Sequence, residues 1–64
     1  MQVILPDRTV QTMPGDPVPI EQLLLRLGIL PTGVIVVKNG RIVPDDVIAS
    51  GDDVVRIIRV AHGG

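Results

Sequence analysis

Ile57-Ile58-Arg59-Val60-Ala61-His62-Gly63-Gly64 closes the sequence as an apolar run that stops at a bare glycine pair. β-Branched side chains suit a pleated, half-buried surface, so the segment from Asp53 to Val60 reads as the last strand of a sheet. Its period of two places Val55 and Ile57 on one face and Val54, Arg56, Ile58 and Val60 on the other, leaving apolar residues on both. Gly63 and Gly64 have no side chain to pack and lose the most backbone freedom on ordering, so 61–64 reads as a flexible tail projecting from the fold. The group exposed there is a carboxylate with a reference pKa of about 3.3 to 3.7, an anion near neutrality. It is a poor electrophile until another enzyme converts it to a mixed anhydride, which would make this chain a substrate and not a catalyst. A merely frayed end is the plain alternative.

The composition limits what else the chain can do. Sixty-four residues make one domain, spanning 1–64, near the size at which a chain buries only about 60% of its unfolded surface. Hydrophobic residues are 45% and charged residues 20%, a globular balance, and the absence of Phe, Tyr and Trp leaves the core to Leu, Ile and Val. Without aromatic rings to stack on bases, and with a formal net charge of -1, a direct nucleic-acid ligand is not expected. No Cys is present, which excludes disulfides, thiolate zinc sites and a cysteine nucleophile. Met1 to Leu5 is too short for a signal segment, and no apolar run approaches the roughly 20 residues of a membrane span. The expected location is cytoplasmic, with no membrane partner.

Working back from the last strand, Met1–Leu5 and Thr9–Met13 read as two strands joined by a Pro6-Asp7-Arg8 turn. Pro14 to Pro19, with three prolines that cannot donate to a ladder, reads as a connection. From Ile20 the period changes: Ile20, Leu23, Leu24 and Leu27 share one helical face, opposite Glu21, Gln22 and Arg26. Leu25 falls off that stripe, Pro19 suits the helix entrance, and Gly28 suits its C-terminal cap. Val34–Lys38 is apolar on both faces and so central in a sheet, and Asn39-Gly40 turns it into Arg41-Ile42-Val43 through a type I′ hairpin. Pro44 to Ser50 is expected to hold a single helical turn started by an Asp, and Gly51-Asp52-Asp53 is a further turn. Strand, strand, helix, strand, strand, strand is an α+β order in which one helix covers one sheet face.

Arg59-Val60-Ala61-His62-Gly63-Gly64 after an apolar strand, on so short a chain, resembles the β-grasp sulfur carriers, the ThiS and MoaD group. It is also similar to the small ubiquitin-like modifiers of archaea and their thermophilic bacterial relatives, used in tRNA thiolation and protein conjugation. The Asn39-Gly40 hairpin and the element order extend the resemblance along the chain. It implies a β-grasp (ubiquitin-like) fold, a mixed sheet of about five strands with one main helix on one face, its terminal strands paired in parallel at the centre. It implies that an ATP-using adenylyltransferase of the ThiF/MoeB type activates Gly64, that sulfur transfer gives a thiocarboxylate, and that a sulfur acceptor then takes the sulfur. The products would be thiolated tRNA, thiamine or molybdopterin. The alternative is a modifier joined through Gly64 to lysines of target proteins. The carrier itself would be no enzyme, bind no cofactor or metal, and be monomeric when free.

On this reading Gly64 carries the activated carboxylate, and Gly63, His62 and Ala61 enter the partner's active site with it. Arg56, Ile58 and Val60 form an outward row beside the tail that docks the activating enzyme and sulfur acceptors, or else is ordinary surface. Arg59 either steers the tail toward an acidic groove or is a solvated strand-end arginine. His62 takes no catalytic role. Asp45, Asp46, Asp52 and Asp53 lack calcium-loop spacing and suit turns that hold backbone amides. Lys38, the only lysine, is a candidate acceptor for a second copy of the carrier.

Overall fold

Hydrophobic period decides the layers. A computed structural model describes residues 1–60, and in it the residues at inward positions of the strands meet the apolar stripe of one helix. The elements are β1 (Gln2–Ile4), β2 (Val10–Thr12), β3 (Val18–Pro19), α1 (Ile20–Arg26), a 3-10 turn (Pro31–Gly33), β4 (Val34–Lys38), β5 (Arg41–Val43), β6 (Ile48–Ala49) and β7 (Val54–Arg59). Five strands form one mixed sheet in the order β2-β1-β7-β4-β5. β1 and β7 run parallel at its centre, with Val3 opposite Val55, while β4 is antiparallel to both β7 and β5. With α1 packed on one face, the arrangement is a β-grasp-like α+β fold, as the element order and the resemblance led us to expect.

The core is made as the composition requires, from apolar side chains without an aromatic ring. Ile20, Leu23 and Leu24 of α1 are buried with Val3, Val36, Val55 and Ile57 of the sheet, and Met1, Val18 and Ala49 complete the cluster. Leu25, off the helical stripe, is 59% exposed. Gly28 ends the helix with a φ of 74°, the left-handed conformation a C-terminal cap needs. Asn39 and Gly40 have φ of 52° and 82°, both positive as a type I′ turn demands, and Lys38 pairs with Arg41 across it.

Two expectations are corrected. Pro44 to Ser50 contains no helical turn: Val47 N donates to the Pro44 carbonyl at 3.3 Å in a simple turn, and Ile48–Ala49 continue as β6. The segment from Pro14 is also not wholly connection, since Val18–Pro19 form β3 and pair antiparallel with β6 in a separate two-stranded sheet. Proline is tolerated there because the pairing is two residues long and the next donor, Ile20 N, reaches the Val47 carbonyl at 3.0 Å. The same turn caps α1. Pro19 occupies the N-cap with no side-chain cap bond, and Glu21 N donates instead to the Asp45 carbonyl at 2.8 Å. Backbone carbonyls of 45–47 thus satisfy helix amides that a polar N-cap side chain would otherwise take.

Candidate docking face

Because α1 packs on one side of the sheet, no helix or strand among the described residues covers the other side. The register lines up Val10, Ile4, Arg56, Val37 and Ile42 in one row across all five strands. Ile58 and Ile35 sit opposite one another in the next row on β7 and β4, and Val54 lies beyond Arg56 on β7. Ile42 is 75% exposed and Val10 56%, while Ile35, Ile58 and Val54 are each a little under two-fifths exposed. An uncovered sheet face normally alternates to polar residues; here Gln2 and Thr12 do so, but the row through Val10, Ile4, Arg56, Val37 and Ile42 presents aliphatic side chains on both sides of the Arg56 guanidinium. The predicted outward row Arg56 and Ile58 is therefore present, and it is part of a wider patch than β7 alone revealed.

Val60 adjoins that patch, 40% exposed. Its amide donates to the Gly33 carbonyl at 3.1 Å, so one residue past the end of β7 the backbone is still tied to the 3-10 turn that leads into β4. Arg59 stands apart from the other predicted docking residues. It shares the helix-side parity of the buried Val55 and Ile57 and lines a groove with Leu5, Leu27 and Ile29 at the C-terminal end of α1. It also borders the depression that holds Arg8, Arg56 and Ile58, so it stands at the rim between the two faces. Ala61, His62, Gly63 and Gly64, predicted as the tail that enters a partner, lie outside the described residues.

The opposite end of the sheet is held by polar contacts. Asp53 accepts hydrogen bonds from Ser50 N at 2.9 Å and Asn39 Nδ2 at 2.8 Å, and Asn39 Oδ1 accepts from Val54 N at 2.9 Å. The Ser50 amide, the Asn39 amide and the Lys38 ammonium hold the Asp53 carboxyl below the usual carboxylate range. Asp7 is likewise lowered, by the Thr9 hydroxyl and amide that both donate to its Oδ1. The aspartates at 52–53 thus serve a turn through Asp53, as their position indicated. Lys38 Nζ donates to the Ile48 carbonyl at 3.2 Å and stands 4.0 Å from Asp53. Among the described residues no three His, Asp or Glu side chains converge as a metal site would require, and no helix is long and apolar enough to cross a membrane.

Sequence reading did not find the contributions of Val10, Ile4, Val37 and Ile42 to the open face. The alternation within each strand was visible, but only the register shows that these positions fall in one row with Arg56. No protein-family model matches the chain. No curated protein matches it closely enough to count as a relative.

Proposed function

We propose that this chain is a β-grasp sulfur carrier that works in the cytoplasm and is activated at the carboxylate of Gly64. The observation that supports the reading best is the placement of β7: the central strand of the sheet, parallel to β1, leads toward the diglycine along an uncovered apolar face centred on Arg56. An activating enzyme gripping that face holds the carboxyl end within reach of its nucleotide site. A carboxylate oxygen of Gly64 attacks the α-phosphate of ATP, pyrophosphate leaves, and the acyl-adenylate forms. Hydrosulfide from a sulfide donor then attacks the acyl carbon, the bond to AMP breaks, and the chain leaves as a thiocarboxylate, ready to supply tRNA thiolation or the biosynthesis of thiamine or molybdopterin. Glycine suits the last positions because a backbone without Cβ atoms can pass through a narrow channel.

Activation is tested by incubating the chain with ATP and the activating-enzyme fraction of its own cells, then trapping acyl-adenylate with hydroxylamine. The expected result is a hydroxamate on Gly64, lost in a chain lacking Gly64 whose circular dichroism is unchanged. A full-length chain that never yields the hydroxamate contradicts the proposal.

A further inference from the structure

Asn39-Gly40 is chemically the most fragile peptide in the sequence, and it forms the two-residue turn between β4 and β5. An unshielded glycine nitrogen following asparagine can attack the side-chain carbonyl carbon. Gly40 N forms a bond to Asn39 Cγ and gives its proton to solvent, the Cγ–Nδ2 bond breaks, and the amide nitrogen takes up a proton and leaves as ammonia. Water then opens the five-membered imide at either carbonyl, giving aspartate or isoaspartate; nothing is oxidised or reduced. The attack requires Asn39 Cγ to swing toward Gly40 N.

In the folded chain that swing is opposed at both ends of the amide. Nδ2 donates to Asp53 Oδ1 at 2.8 Å, and Oδ1 accepts from Val54 N at 2.9 Å. Asn39 N also donates to the Val54 carbonyl at 2.9 Å, fixing the turn's backbone to the same strand. Asp53 is itself oriented by Ser50 N at 2.9 Å. We propose that Asn39 is a guarded deamidation site, with the Asp53 carboxylate as its guard: the hydrogen-bonded bracket keeps the Asn-Gly bond intact while β7 and the hairpin stay joined, and opening it starts the conversion. The conversion is one-way. A carboxylate at position 39 cannot donate to Asp53 and instead faces it with like charge, and isoaspartate adds a main-chain carbon inside a two-residue turn. The bracket therefore does not re-form, and each opening carries a chance of permanent damage.

The test follows deamidation by intact mass and isoaspartate content under mildly alkaline conditions. It uses the folded wild type, a synthetic peptide spanning 34–43, Asp53→Ala, and Ile57→Val as a remote variant on the core side of β7. All proteins are held below their melting temperatures. The folded wild type is expected to convert at least about tenfold more slowly than the peptide, because reaction needs local opening. Asp53→Ala is expected to convert at least about threefold faster than wild type, and Ile57→Val at the wild-type rate. Should Asp53→Ala fail to fold, Asp53→Ser takes its place with the same expectation. Wild type reacting at the peptide's rate, an Asp53 variant keeping the wild-type rate, or Ile57→Val accelerating as much as the Asp53 variant would each overturn the proposal.

Discussion

Asp53 and Asp7 show how single polar residues tie this small fold together. Both carboxyls are held below their usual range by donors that the fold fixes in place, so each contributes stability above the unfolded pKa, about 3.9, and loses it as pH falls through the lower folded value. Acid titration of the melting temperature should therefore show stability falling below about pH 4, with a shallower fall in Asp53→Asn. Asn39→Asp keeps an acceptor for Val54 N but sets a second carboxylate against Asp53, at a contact of 2.8 Å in the wild type. It should lower the melting temperature at neutral pH by several degrees, the scale of about 1 kcal/mol in a domain this size. Lys38 Nζ is engaged by the Ile48 carbonyl and lies near Asp53, so this side chain should be acylated more slowly than the lysine of a peptide spanning 34–43. Equal rates would show that the contact does not restrain it.

At the scale of elements, the glycines separate space from conformation. A Cβ on Gly15 would meet the backbone of Gly51 at 3.0 Å, where Gly51 N also donates to the Gly15 carbonyl at 2.8 Å. Gly33 has open space and no positive φ. Gly15→Ala should therefore be destabilising by thermal melting, while Gly33→Ala should be neutral or stabilising by up to about 1 kcal/mol through the unfolded chain. The longer elements were legible because their signals are local: the stripe of Ile20, Leu23 and Leu24, the alternation of Val55 and Ile57, and Asn39-Gly40 each announce a period or a turn. β3 and β6 were not, because two-residue strands have no period to read and exist only through pairing between distant segments. The carbonyls of Asp45 and Val47 that cap α1 were hidden for the same reason, being backbone groups that no side chain advertises.

Across the whole molecule, one thin core supports an open aliphatic face. Leu24 is fully buried between helix and sheet, and Leu24→Ala should cost about 2 to 5 kcal/mol, enough to leave a domain of this size largely unfolded in a thermal scan. Arg56→Glu reverses the one charge amid the exposed row without touching the core, and should leave the melting temperature nearly unchanged while reducing activation by the partner enzyme. Of the candidate site, Arg56, Ile58 and Val60 could be read from the alternation of β7, whereas the rest of the face came from the register of four other strands. On the proposed carrier reading Gly64 bears sulfur in the cell, which is tested by the intact mass of the chain purified from its own cells, alongside labelling with a thiol-specific reagent. With no Cys in the sequence, thiol-like reactivity can arise only from a thiocarboxylate. The predicted result is a population heavier by the exchange of one oxygen for one sulfur, labelled by the reagent at Gly64. An unmodified chain that stays inert after incubation with ATP, a sulfide donor and the activating enzyme would contradict it.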